Sequence, residues 1–158
     1  MIFDCTYGVS NDYIGSIYEC SARVLMFSPQ DETLFAATQY HLNGRNSSDV
    51  QSLKINNQNL LSVPKRIEKI FENLRILNFR NCSLERISRD NLSPFPHLEY
   101  LILWDNKIIE LSGDLFQGNP MLRYIDFDNN RITNTGSNLL KSLNLTHAYF
   151  NNNICINA

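Results

Sequence analysis

Apolar residues return every 24 positions through the last two thirds of the chain. Val50, Leu53, Ile55 and Leu60 are followed by Leu74, Leu77, Phe79 and Leu84, by Leu98, Leu101, Leu103 and Ile108, and by Leu122, Ile125, Phe127 and Ile132. A fifth copy, Leu145, Ala148, Phe150 and Cys155, arrives one residue early and carries a small alanine where the others are larger. Within each copy the second and third apolar letters alternate with polar ones. That is the period of a strand, whose successive side chains point to opposite faces. The apolar letters therefore face a core and the letters between them face outward. One unit cannot bury its apolar face alone, so the copies must stack, and truncating a central Leu101 to alanine is expected to cost on the order of 2–5 kcal/mol.

The ninth position of the unit reads Gln58, Cys82, Asn106, Asn130 and Asn153. An inward amide there can satisfy backbone groups that a sharp turn after each strand leaves free. Cys82 in that column reads as a buried thiol. The spacing L-x-x-L-x-L-x-x-N-x-L over residues 50 to 155 resembles the leucine-rich-repeat family. That resemblance implies an α/β solenoid: a horseshoe with a parallel concave β-sheet of about five repeats, starting near 50, 74, 98, 122 and 145, and an irregular or helical convex return. Pro64 to Phe71 has proline at a plausible first helical position and apolar spacing suited to a helix. Returns holding Pro94, Pro96, Gly113, Gly118 and Pro120 should be less regular. The expected division is an N-terminal cap over residues 1–49 and repeats over 50–158, together one structural domain.

Residues 1–49 do not repeat. Cys5 and Cys20 frame a stretch with Gly8, Ser10-Asn11-Asp12 and Gly15-Ser16, which reads as a β-hairpin or a broad loop closed by one disulfide. A disulfide hairpin is also the usual N-terminal cap of secreted leucine-rich-repeat proteins. Together with the sequons and the phrases FPHLEYL, LFQGNPMLRYIDF and YFNNNICINA, this cap makes the chain similar to secreted leucine-rich-repeat proteins of insects, notably dipterans. The opening MIFDC lacks a basic start and an apolar run, which leaves a cytosolic protein or a mature chain without its leader. Cys5–Cys20 pairing and four N-x-[ST] triplets, at Asn46, Asn81, Asn91 and Asn144, favour a secreted, extracellular glycoprotein. At the other end Cys155 is followed by three residues only, so Leu145 and Phe150 are expected either to continue into missing sequence or to be covered by a partner.

Sixteen acidic against fourteen basic side chains leave no field that would hold nucleic acid or an acidic membrane, and no run approaches a membrane span. What remains is the outward face of the strands. Its third positions are Ser52, Ile76, Tyr100, Tyr124 and His147; its fifth are Lys54, Asn78, Ile102, Asp126 and Tyr149; its seventh are Asn56, Arg80, Trp104, Asp128 and Asn151. Ile76, Tyr100, Ile102, Trp104, Tyr124 and Tyr149 form an aromatic centre, and Arg80, Arg123, Asp105, Asp126 and Asp128 surround it. Tryptophan, tyrosine and arginine are the side chains enriched at binding hot spots. A stack of Trp104 on Tyr100 and Tyr124 that merely stiffens the sheet is the structural alternative.

No catalytic set emerges, because His147, the histidine expected on this face, has no nucleophile and orienting carboxylate in its column. Asp105, Asp126 and Asp128 read as a solvated acidic edge rather than a metal site. The expected function is an extracellular protein-binding module that uses this face, with no cofactor and no enzymatic activity. A carbohydrate ligand is also compatible, since rings stack on sugar faces. The alternative is a structural or matrix protein that forms homo-oligomers through its C-terminal end.

Overall fold

The computed structural model describes residues 1–25 and 32–154; Cys155 and its pairing lie outside the described residues. The chain opens with an antiparallel hairpin of two eleven-residue strands, β1 (Ile2–Asp12) and β2 (Gly15–Leu25). Its turn holds two bulky residues, Tyr13 and Ile14. Neither has a positive φ; Gly15 supplies it at 97°, as in a turn followed by a left-handed residue. Cys5 and Cys20 are bonded across the hairpin, with their Cα atoms 5.3 Å apart. A short strand β3 (Ala36–Thr38) runs parallel along the outer edge of β1.

The cap is continuous with the repeats. β2 pairs in parallel with β4 (Ser52–Asn56) through Glu19, Cys20 and Ser21. β4 then pairs with β5 (Ile76–Arg80), and β5 with β6 (Tyr100–Ile102). Two shorter convex strands, β7 (Glu110–Leu111) and β9 (Asn134–Thr135), pair with each other on the return side. β6 continues to β8 (Tyr124–Asp126), and β8 to β10 (His147–Tyr149), which completes an eight-stranded sheet. Leu53, Leu77, Leu101, Ile125 and Ala148 stand opposite one another in register, as the 24-residue period requires. The core behind them includes Phe71, Phe79, Leu103, Phe116 and Phe127, and it extends into the cap through Phe3, Cys5 and Cys20.

The ninth-position amides do what the turn chemistry demands. Asn106 Oδ1 accepts from the N–H groups of Cys82 (3.0 Å) and Leu84 (3.1 Å), and Asn106 Nδ2 donates to the carbonyls of Phe79 (2.8 Å) and Leu103 (2.9 Å). Asn130 and Asn153 repeat the arrangement one and two turns on. Gln58, one methylene longer, reaches the cap instead: its Nε2 donates to Ala22 O at 2.8 Å and its Oε1 accepts from Val24 N at 2.6 Å. The glutamine thus stitches the first repeat to the hairpin. Cys82 is a buried free thiol that donates to Ile55 O at 3.2 Å, and burial pushes its pKa up to about 11.

The return is less helical than the sequence suggests. In place of a helix from Pro64, the chain makes a three-residue 3-10 turn, Ile67–Lys69, entered through a left-handed Arg66. The reason is a bridge to the cap segment: Lys65 N donates to Glu32 O (2.7 Å) and Leu34 N donates to Lys65 O (2.9 Å). A residue held in that extended pairing cannot also begin a helix. The single α-helical turn among the described residues is α1 (Arg89–Leu92), with Ser88 and Asn91 in a capping box. No helix among the described residues is long and apolar enough to cross a membrane.

Candidate concave binding face

Strand alternation puts the sequence-predicted contacts other than Arg123, which precedes β8, on the outer face of the sheet, but not every one of them is open. Trp104 is 39% exposed, while Tyr124, Tyr149, Arg80, Arg123, Asp126 and Asp128 are half-buried. Ile76 and Ile102 are fully buried and Tyr100 is only 8% exposed, so these three are not available contacts. For Ile76 and Tyr100 the cover is the cap. Tyr13, at the hairpin turn, lies over Tyr100 with ring centroids 5.0 Å apart and over Tyr124 at 5.4 Å. Ile17 and Ile14 pack with Ile76 and Tyr100 in a small apolar cluster separate from the main core.

Polar contacts fix the tip. Tyr100 Oη donates to Tyr13 O at 3.3 Å, and Arg80 Nη2 donates to Tyr13 Oη at 3.1 Å. Lys54 Nζ stands 2.6 Å from Asp12 and 2.7 Å from Glu19. Burial works against the Lys54 charge, but hydrogen bonds and charge from the two carboxylates outweigh it and raise its pKa. Sequence reasoning read the hairpin as a cap and passed over its turn. The available signal was Tyr13-Ile14, two large apolar residues where a solvated turn favours small polar ones.

A ring ladder crosses the face from Tyr13 through Tyr100 and Tyr124 to Tyr149 and His147. Among the described residues no ring stacks on Trp104, which removes the sheet-stiffening alternative for that side chain. Trp104 is held by its backbone instead, its carbonyl accepting from Asn81 N at 3.1 Å. The open region therefore runs from Trp104 toward Asp126, Asp128, Tyr149 and Asn151. Asp126 Oδ1 accepts from Asp128 N at 3.0 Å, and Asp128 accepts from Asn151 N at 2.6 Å. Burial raises the Asp126 pKa, and the neighbouring Asp128 charge adds to it, against the lowering by the Asp128 N–H bond and by Arg80. Burial, first of all, pushes Tyr124 up to about 12. Arg123 is drawn to the rim by Glu99 at 2.8 Å and lies 5.2 Å from the Tyr100 ring centroid.

The sequons differ in surroundings. Asn46, Asn81 and Asn144 are exposed. Asn91 is half-buried, its Oδ1 accepting from Ser88 N (3.0 Å) and its Nδ2 donating to Val63 O (3.1 Å).

A family model described as "Leucine rich repeat" matches residues 48–108 and 96–153, the stretch that builds β4 to β10. The chain belongs to the leucine-rich-repeat family. Leucine-rich-repeat domains generally mediate binding between proteins. The chain is also similar to the Caenorhabditis elegans protein "Immunoglobulin domain and leucine-rich repeat-containing protein 2", 27% identical over 111 residues. That match covers 65% of this chain and 14% of the longer nematode protein.

Proposed function

We propose that this chain is an extracellular protein-binding module that recognises its partner through the open, C-terminal half of the concave face. Trp104 is the anchor, and Tyr124, Tyr149, Arg80, Arg123, Asp126 and Asp128 are the surrounding contacts. In this reading residues 1–49 cap the solenoid and 50–158 form the repeats of one domain. The carrying observation is Trp104, the chain's single tryptophan, left 39% exposed with no ring stacked on it among the described residues. A large ring in that position gains much on desolvation. The Cys5–Cys20 bond supports an oxidising, extracellular setting, and the exposed sequons agree with it. Trp104→Ala should weaken partner binding at least about thirtyfold, or about 2 kcal/mol, while the protein stays folded. The test is capture from native extracellular fluid with wild type and Trp104→Ala side by side. A specific partner retained equally by both would reject the site.

A second reading has its own observation. At β10, the last strand among the described residues, Ala148 is exposed, and a cavity of about 430 Å³ has Leu139, Leu140, Lys141 and Phe150 in its lining. Phe150 stacks on Phe127 at 5.5 Å and is only partly covered. Self-association through this end predicts oligomers that Leu140→Ser disperses and Trp104→Ala leaves intact, read by sedimentation equilibrium.

A further inference from the structure

The hairpin tip occupies the N-terminal half of the concave face as a ligand would. Tyr13 contributes a ring that stacks on Tyr100 and tilts against Tyr124, and a phenol oxygen to Arg80; Asp12 contributes a carboxylate to Lys54; Ile14 packs beside Tyr100. These are three separate recognition elements, aromatic, anionic and aliphatic, delivered by consecutive residues of one turn.

The fit is incomplete. Tyr13 remains 43% exposed, so its ring shields one side of the ladder only. Asn78, on the same face between Lys54 and Ile102 in register, is 4% exposed and its Oδ1 has no hydrogen-bond partner among the described residues. Ser52 Oγ and Arg80 Nε are buried on this face in the same condition. Buried polar groups without partners are costly, and an occupant that satisfied them would hold the groove better. Pairing with β4 does not require this occupant: β2 joins the sheet through Glu19 to Ser21, and the tip lies beyond that pairing.

We propose that the groove formed by Lys54, Arg80, Tyr100 and Tyr124 is a recognition site for a turn that presents a tyrosine next to a carboxylate, held in cis by Asp12-Tyr13-Ile14 until a partner protein's turn of that chemistry displaces it. This deepens the protein-binding reading by naming what the covered half of the face accepts. A cis occupant lowers apparent affinity by the fraction of time it holds the groove, so emptying the groove should tighten binding.

The experiment uses the full chain and a cyclic peptide of sequence Ser-Asn-Asp-Tyr-Ile-Gly-Ser, with fluorescence anisotropy as the readout. The double variant Tyr13→Ala, Ile14→Ser should bind the peptide at least about tenfold more tightly than wild type. A peptide with alanine in place of its tyrosine should not bind, and Arg80→Met in the double variant should weaken the complex. Equal affinity of wild type and double variant, or binding that ignores the peptide's tyrosine, overturns the proposal. So does concentration-dependent dimerisation of the wild type that Tyr13→Ala abolishes, because the occupant would then be a second copy's tip. Hydrogen exchange on the wild type supplies a readout that needs no variant. Amides of residues 11–16 should exchange faster than those of 20–24, and equal protection would show that the tip does not leave. Capture of a partner is compared between wild type and Trp104→Ala with the hairpin tip unchanged in both, so the two readings fail separately.

Discussion

Replacing Asn106 by alanine should destabilise the solenoid at the turn that carries Trp104. The side chain makes four bonds to main-chain groups within 3.1 Å: it accepts from Cys82 N and Leu84 N and donates to Phe79 O and Leu103 O. It is almost fully buried, so alanine leaves the two amides and the Phe79 carbonyl without this partner and with little access to water, while Leu103 O keeps the Asn130 amide at 2.9 Å. Each buried donor left unpaired costs about 1–3 kcal/mol, and partial entry of water recovers some of that, which places the total near 3–5 kcal/mol. For a domain of this size the melting temperature should fall by roughly 6–20 °C. Asn153→Ala removes a similar set at the open end, where the residue is half-buried, and should cost about 1 kcal/mol. Urea unfolding of the oxidised protein gives both values. Since Trp104 is the single tryptophan and its carbonyl lies 3.3 Å from Asn106 Nδ2, its emission spectrum reports whether the turn has moved. A loss below about 1 kcal/mol, or one no larger than at Asn153, would refute the account of the column.

Asp126→Asn should stabilise the protein at neutral pH. The folded carboxyl titrates above its ordinary 3.8, so the wild type loses stability as the pH rises from that value through the folded pKa, and the advantage of the variant in urea should vanish near pH 3. Gly136→Ala should be destabilising by about 1–3 kcal/mol, whereas Gly8→Ala should be near neutral in the same melt. The reason is space: a Cβ at Gly136 would sit 2.2 Å from Gly113 N, and one at Gly8 meets nothing within 4 Å. In a Cys155→Ser background, Cys82 should resist a thiol reagent in the native state and react on unfolding, because the thiol is buried and titrates at about 11. Mass spectrometry of protein from a secretory host should find glycan at Asn46 and Asn144 and none at Asn91, whose amide is committed to a capping box and to Val63 O.

The parts legible in the sequence were those set by a repeating local rule. Leu53, Leu77, Leu101 and Ile125 fell into register because stacked parallel strands demand one apolar letter per turn. The asparagine column followed from the need to satisfy a turn. A neighbouring column carried equal information and went unread: Asn57, Asn81, Asp105, Asn129 and Asn152 all have positive φ between 50° and 59°. These are the residues whose short polar side chains tolerate left-handed backbone. What the letters did not show arises between segments far apart in sequence. The helix expected at Pro64 lost to a bridge with the cap, and the exposure expected of Ile76 and Tyr100 lost to a hairpin tip some 60 to 90 residues away. Periodicity describes each repeat against its neighbours, and a contact made once by a non-repeating element leaves no periodic trace.

The length of that element bears on what it is for. Covering the first repeat requires a strand beside β4 and a disulfide to hold its partner, and Glu19 to Ser21 with Cys5–Cys20 provide both. The pairing with β4 ends at Glu19, yet the antiparallel hairpin continues from Tyr18 to Gly15 and closes with Tyr13 on the ring ladder. A shorter hairpin would leave Ile76 and Tyr100 in water, an apolar patch of the kind that soluble proteins rarely leave exposed without a partner. The overhang divides the face instead: one half is covered by a turn that ion pairs and a tyrosine hold in place, and the other half keeps its tryptophan in solvent.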